Sequence, residues 1–284
     1  MKEKELHRGV VPFLNCKDYL VSNETYEVML NKQIEMLVTS PIPSDLSKYY
    51  DSEEYVSHHN TKKTLLNFIY NTVKKYSFKK KQNLFNDHQK NKTVLDIGTG
   101  TGDFLFYCKQ KGFLVTGIEP SDIARQQAIE KKVAVHKDLK DVLGKKFDVI
   151  TMWHVLEHVY NLKDRVKELK RILKDDGSIF IAVPNYESYD AMKYKEHWAA
   201  YDVPRHLYHF GKSDIKRLME NEGMKVESIS PMKFDSFYVS MLSEKYLNGK
   251  INYVNALLTG LKSNSKGTKS MNYSSLIYKI KKQA

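Results

Sequence analysis

From residue 93 onward the chain switches repeatedly between two hydrophobic periods. Short apolar runs at 94–97, 113–118, 133–135, 147–152 and 178–183 read as buried strands. Between them lie stretches with apolar residues at helical spacing: 104–111, which Gly112 can close, and 122–132, which Ser121 can cap. A third carries Leu162, Val166, Leu169, Ile172 and Leu173 on one face and stops at Asp175-Asp176-Gly177. Strands alternating with helices imply a parallel sheet covered on both faces. The pattern then changes. Residues 185–211 read as loop, followed by a helix capped at Ser213 and closed near Gly223, and a strand at 224–230. Residues 234–262 read as helical, with Phe237, Met241, Leu242, Tyr246, Leu257 and Leu258; 263–270 as polar loop; 275–281 as a last strand.

Residues 1–60 show little periodicity and are broken by Pro41-Ile42-Pro43, which suggests a loosely built extension or cap. Its tail at 49–59 is rich enough in tyrosine and histidine to pack on something. An amphipathic helix is expected over 61–77 from Leu65, Phe68, Ile69 and Val73, and the run Lys79-Lys80-Lys81 reads as a solvated face. The expected organisation is an extension at 1–60 and one domain at 61–284, with a helical insertion at about 234–270.

Composition adds little to this. The net charge is +12, which favours anionic partners, but the lysines are spread through nearly every segment and mark no basic patch. Cys16 and Cys108 can form neither a disulfide framework nor a zinc site alone. The stretch Met1-Lys2-Glu3-Lys4-Glu5-Leu6 lacks the apolar core of a secretory signal, and no run approaches the roughly 20 apolar residues of a membrane span. A cytoplasmic protein is expected, with peripheral membrane contact left open.

The chemistry concentrates at Asp96-Ile97-Gly98-Thr99-Gly100-Thr101-Gly102-Asp103, where a strand runs into a glycine turn that opens a helix. The dinucleotide pattern would place its third glycine at position 103, which is an aspartate. The acid-x-Gly-x-Gly-x-Gly segment resembles that of the class I methyltransferases that use S-adenosylmethionine. The resemblance covers about residue 61 to the end of the chain. It implies a Rossmann-like α/β fold with a seven-stranded, mostly parallel sheet of order 3-2-1-4-5-7-6. It also implies a cofactor site at Asp96, Gly98, Thr99, Gly100 and Gly102, with Glu119 and Pro120 at the end of the second strand and Asp138 and Leu139 after the third. Glu119 follows Gly98 at the spacing of a ribose-binding acid. Asp138 and the Leu139 amide are then the adenine contacts.

After the fourth strand, Trp153-His154-Val155-Leu156-Glu157-His158 is similar to the corresponding segment of the ubiquinone-pathway O-methyltransferases, in which Glu-x-x-Glu-His is associated with a divalent metal. Here His154 replaces the first acid, and no metal is assigned. Trp153 and His154 are expected on the cofactor, and Glu157 and His158 in the chemistry. After the fifth strand, residues 197–210 can close over the same edge. Trp198, Tyr201 and Arg205 are candidate acceptor contacts, and His206 a candidate base. A simpler reading pairs Asp202 with Arg205 to hold the loop. Cysteine pairs of zinc-ribbon type, which some relatives carry ahead of a Thr-x-Pro-x-Pro segment, are missing before Thr39-Ser40-Pro41-Ile42-Pro43.

The expected function is methyl transfer to a small-molecule or lipid-linked acceptor, at oxygen. Against a nucleic-acid acceptor, the fourth strand lacks an Asn/Asp-Pro-Pro-aromatic or Pro-Cys segment, and no RNA-binding module is recognisable. A cofactor-binding module without catalysis is the other alternative.

Overall fold

The computed structural model of the chain describes residues 9–50, 65–85 and 91–283. The tyrosine-rich tail of the extension lies mostly outside them. The N-terminal stretch differs from its sequence pattern, because it forms an antiparallel meander of β1 (Val10–Lys17), β2 (Thr25–Asn31) and β3 (Met36–Ser40). In β2 the inward set is Tyr26, Val28 and Asn31, joined by Met29, with Thr25 and Glu27 outward. An irregular register between Pro12 and Leu14 obscures the alternation in β1.

A helix α1 (Leu65–Asn83) precedes β4 (Thr93–Ile97), α2 (Asp103–Gln110), β5 (Leu114–Ile118), α3 (Asp122–Glu130), β6 (Ala134–His136) and β7 (Phe147–Trp153). The Ser121 hydroxyl caps α3 by accepting the Ala124 N–H. Next come α4 (Leu162–Ile172) and β8 (Leu173–Pro184). Asp175-Asp176-Gly177, expected to stop the helix, instead lies within β8. The partners of Phe147 and Val149 on β7 are Leu173 and Ser178, so the three residues bulge from the ladder. Residues 185–211 hold α5 (Tyr189–Tyr194), 3-10 turns at Lys195–His197 and Ala199–Tyr201, and β9 (Tyr208–His209), which extends the N-terminal sheet to the order β1-β2-β3-β9.

The helix α6 (Lys212–Glu220) is capped two residues earlier than expected, at Gly211, whose N–H is accepted by Asp214 at 2.7 Å. After β10 (Met224–Pro231), two helices follow, α7 (Asp235–Asn248) and α8 (Tyr253–Ser270), and then β11 (Ser275–Lys282). The polar stretch 263–270 is thus helix rather than loop, because its inward residues are small: Ser263 and Gly267.

The large sheet has the order β10-β11-β8-β7-β4-β5-β6, with only β11 antiparallel to its neighbours. Counted from β4 this is 3-2-1-4-5-7-6, the order the resemblance implies. Its central strands are buried on both faces, and alternate residues feed two cores. Leu95, Ile150, Ile179 and Ile181 join the larger one, which also takes in Val38, Trp198 and Tyr208; Val94, Val149, Phe180 and Ala182 join the other with Phe85 and Phe104. Both candidate segments leave at the carboxyl edge of the parallel strands, where ligands sit in such sheets. No helix among the described residues is long and apolar enough to cross a membrane.

Candidate functional site

At the carboxyl edge of the sheet, β4 ends in a turn whose glycines have positive φ. Gly98, at φ 74, lies so close to Val155 that an added Cβ would meet its Cγ2 at 2.4 Å. Gly100, at φ 54, has no atom within 4 Å of that position, so the turn leaves open space there for a ligand. Gly102 caps α2. The Gly100 N–H donates to Glu119 Oε2 at 2.8 Å, and the Ser121 N–H donates to Oε1 at 2.9 Å. Both carboxylate oxygens are thereby fixed, and each keeps a lone pair for a further donor. Pro120 continues the turn, and the Arg125 guanidinium donates to the Glu119 and Pro120 carbonyls. Asp138 is exposed and caps the turn Leu139–Val142 by accepting the Lys140 N–H at 2.9 Å, while Leu139 is buried.

Asp96 is buried. Burial pushes its carboxyl up to about 6, against the Thr151 hydroxyl, which donates to it at 2.6 Å, and the nearby Lys81 ammonium. The buried Thr99 hydroxyl faces it without closing a well-formed hydrogen bond. Lys81 corrects the reading of its lysine run as a solvated face. Its ammonium lies 4.3 Å from the centre of the Trp153 ring, and burial lowers its pKa against the charges of Asp96 and Asp235. Trp153 packs edge-on to Phe104, and its indole N–H is buried without a partner. At position 103, Lys74 and Lys131 hold the aspartate at 2.6 and 2.7 Å and, despite some burial, keep its carboxyl down at about 2. A fixed anion at the start of α2 disfavours a pyrophosphate there.

The two histidine-bearing segments are assembled from parts of the chain that lie further apart. His154, at φ 56, sits with Nε2 3.1 Å from Asp235 and Nδ1 3.4 Å from Glu157. Burial favours its neutral form, but the two carboxylates outweigh it and hold its pKa near 9, so the ring is a cation at neutral pH. Glu157 is fully buried, and neither of its carboxylate oxygens closes a hydrogen bond. Burial alone would raise its pKa; His154, His206 and His158 lower it instead.

The rings of His158 and His206 meet edge to face, with centroids 4.6 Å apart. The Nδ1–H of His158 donates to the Arg205 carbonyl at 3.0 Å, and that of His206 to the Ala200 carbonyl at 2.9 Å. A carbonyl can only accept, so Nδ1 carries a proton at both contacts, and in a neutral His206 ring Nε2 is the acceptor nitrogen. Burial and the neighbouring His158 push His206 down to about 4, with Asp202 and Glu157 opposing, so it is neutral at pH 7. One ligand-type atom from each of Glu157, His158 and His206 lies within 4.8 Å of the others.

Arg205 does not present a free fork to an acceptor. Its guanidinium is buried and bound to Asp202, with Nε at 3.1 Å from both oxygens and Nη2 at 2.6 Å, and to Asp18 at 3.0 Å. Asp18 is itself fixed by the N–H groups of Leu20, Val21 and Ser22. This is the simpler pairing the sequence suggested, extended to the N-terminal sheet. Trp198 and Tyr201 are buried too: the indole donates to Asp190 at 2.8 Å, and the two rings pack edge to face. They line a small cavity with Cys16, Tyr19, Arg205 and Tyr246.

The structure therefore brings Glu157, His158 and His206 together and turns His154 toward Asp235. Sequence reasoning missed Lys81, hidden in a lysine run, and Asp235, at the start of an unremarked helix. It also missed Asp18, whose carboxylate accepts the Leu20 N–H two residues on, as in an Asx-turn.

Residues 71–229, more than half the chain, match the model of a family described as methyltransferase domain. A ubiquinone biosynthesis O-methyltransferase from Haemophilus ducreyi is 37% identical over 108 residues, covering 33% of this chain and 46% of that protein. One from Idiomarina loihiensis is 27% identical over 182 residues, covering 58% of this chain and 74% of that protein. In the first of these pairs the match spans less than half the relative's length. Among solved structures, magnesium protoporphyrin IX methyltransferase from Synechocystis PCC 6803, with bound SAH, superposes with a TM-score of 0.52 at 13% identity. That match covers 83% of this chain and 97% of that one.

Proposed function

The chain belongs to the methyltransferase-domain family, class I and dependent on S-adenosylmethionine, and from that premise we propose that it methylates an oxygen of a small-molecule or lipid-linked acceptor. When bound, the cofactor supplies a methyl group on a sulfonium, which is already an excellent leaving group. The chain's own residues are left to bind, to align and to remove a proton.

The fit to the cofactor rests on the open space at Gly100 and on the charges around it. Glu119 takes the ribose hydroxyls on its remaining lone pairs. Asp138 and the Leu139 amide take the adenine. Asp96 and Lys81, near enough to feel each other's charge, are groups suited to the ammonium and carboxylate of a zwitterionic methionine end.

One observation carries the oxygen reading: His206, whose Nδ1–H is taken by the Ala200 carbonyl, packs edge to face with His158 beside a buried Glu157 carboxylate that closes no hydrogen bond, with its Nε2 3.8 Å from Asp202. An acceptor hydroxyl would give its proton to His206 Nε2. A ring with so low a pKa is a weak base, and Asp202, with Glu157 behind it, compensates by stabilising the imidazolium as it forms. The names of the relatives point to oxygen as well. The test is methyl transfer from labelled cofactor to paired acceptors, phenols and their aniline counterparts, with and without an apolar chain. Labelled ethers from the phenols are expected; transfer to the amines alone would overturn the reading.

A second reading is favoured by the same orphaned carboxylate. Glu157, His158 and His206 form a carboxylate and imidazole set of the kind that holds a borderline divalent metal. There it would polarise an acceptor oxygen, and the histidines would be ligands rather than bases. Cobalt(II) absorption discriminates: a visible band in the native protein that is lost in Glu157→Gln supports the metal, and its absence supports the base.

A further inference from the structure

The helical pair α7 and α8 is built inside out. In α8 the buried residues are Ala256, Thr259, Gly260, Ser263 and Gly267, whereas Tyr253, Val254, Leu257, Leu258 and Leu261 are each more than half exposed. In α7 the buried residues are Ser236, Ser240, Ser243 and Glu244, whereas Tyr238 and Leu247 are exposed. Apart from the Ser240 hydroxyl, which is buried without a partner, the buried polar residues of these helices are bound where they lie. Ser263 donates to Asp190 at 2.6 Å, the Ser243 hydroxyl accepts the Ala199 N–H at 2.9 Å, and Glu244 accepts from Tyr194 at 2.8 Å and Asn248 at 2.9 Å. Gly260 is packed so closely that an added Cβ would meet the Phe237 ring at 2.5 Å. The body of the protein therefore takes the polar side of α8, and its apolar side is left facing out. A water-facing helix has the opposite arrangement.

The exposed stripe runs over residues 253–261, about 12 Å along the helix axis. Around it the charge has one sign. Residues 233–270 contain six lysines, at 233, 245, 250, 262, 266 and 269, all exposed, and two acids. Of those acids, Glu244 is buried and Asp235 is turned to His154. At helical spacing, Lys262 and Lys269 follow one edge of the apolar stripe.

We propose that this hairpin is a docking surface for an anionic lipid bilayer, with α8 lying in the interface plane, its leucines and Tyr253 in the acyl boundary and its lysines on the headgroups. The charge decides between occupants. A two-fold contact with a second copy would set the lysines of one chain against those of the other, whereas anionic headgroups neutralise them. Docking also has a consequence for the site. The helix α7 supplies Asp235 to His154 and Tyr246 to the cavity beside Arg205 and Trp198, so the bilayer would lie against the element that walls the acceptor side. The surface stands on its own geometry, whichever acceptor the enzyme takes.

The experiment is flotation of the full chain with phosphatidylcholine vesicles containing about 30% phosphatidylglycerol, alongside vesicles of phosphatidylcholine alone. The native chain is expected to float with the anionic vesicles and to be released by high salt. Leu257→Ser with Leu261→Ser, both at exposed positions, should lower the partition coefficient by about a hundredfold. Lys250→Glu with Lys269→Glu should remove the preference for anionic over neutral vesicles. Both double variants should bind S-adenosylmethionine with native affinity, which separates loss of docking from loss of fold or of the cofactor site. Failure of the native chain to float, or flotation unchanged by the leucine substitutions, would overturn the proposal. So would a native dimer in sedimentation equilibrium that the leucine substitutions dissociate while vesicle binding is absent.

Discussion

On the cofactor side, Glu119 and Gly100 stand 19 residues apart and meet through a backbone amide; on the acceptor side, Asp18 and Arg205 stand 187 residues apart and meet only through side chains. The first contact is set by two adjacent parallel strands and a turn, and it forms wherever that local pattern folds. The second needs the N-terminal meander and the loop after β8 to be docked on each other. Its charges, once buried, hold only as a set. The proposed cofactor site, made of main chain, and the proposed acceptor site, made of borrowed side chains, should respond to substitution in different ways.

The largest difference is expected at Arg205. Arg205→Ala leaves Asp18 and Asp202 without their cation and should cost about 3–5 kcal/mol in urea denaturation. Arg205→Lys should recover less than half of that, because an ammonium cannot serve both carboxylates as the guanidinium fork does. A loss below about 1 kcal/mol would mean that the two sheets hold together without the ion set.

Next in size is the catalytic effect of His206→Ala, expected to lower turnover by about 10²–10⁴-fold while leaving cofactor affinity within about twofold. Calorimetry beside steady-state rates reads both. If rate and affinity fall together, the two sides are not separable.

Asp96 tests the cofactor side through pH. Its folded pKa is raised, from 3.8 to about 6, so the folded chain holds this proton more tightly than the unfolded chain does. Its contribution to stability is therefore fully present below about pH 4 and declines as pH rises through 6, by about 3 kcal/mol in all. Asp96→Asn should remove that part of the slope, making the apoprotein relatively more stable at pH 7 while weakening cofactor binding. Parallel stability curves for the two proteins between pH 4 and 7 would contradict the assignment. The smallest effect is Glu119→Ala, which should weaken S-adenosylmethionine by roughly 1.5–3 kcal/mol, the range for hydrogen bonds to a charged group. An unchanged affinity in the folded variant would remove Glu119 from the site.

The same contrast governs what could be read from the chain. The strands from β4 to β8 were legible because each is a short apolar run with its helix and cap beside it, and Asp96 through Gly102 announces the turn between them. The N-terminal meander was not: the inward set of β2 does alternate, at Tyr26 and Val28, but Met29 and Asn31 are buried too, and β1 carries a proline and a register break. The end of α8 read as loop because its buried face is serine and glycine, which carry no apolar period. Lys81 could not be told from Lys79 and Lys80 by composition; what separates them is the Trp153 ring that Lys81 meets. His206 was recognisable as a candidate base, and the two histidine-bearing segments were expected to meet because both leave neighbouring strands at the carboxyl edge; the edge-to-face contact of the two rings was not itself readable.

The central claim is that the His158 and His206 pair stands at the transferred methyl group. The direct measurement is nuclear Overhauser contact from the ¹³C-labelled methyl of bound S-adenosylmethionine to assigned imidazole protons. Contacts to the His206 ring, lost in His206→Ala with the cofactor still bound, are the expected result. A methyl whose contacts lie elsewhere, with none to either ring, would contradict the account.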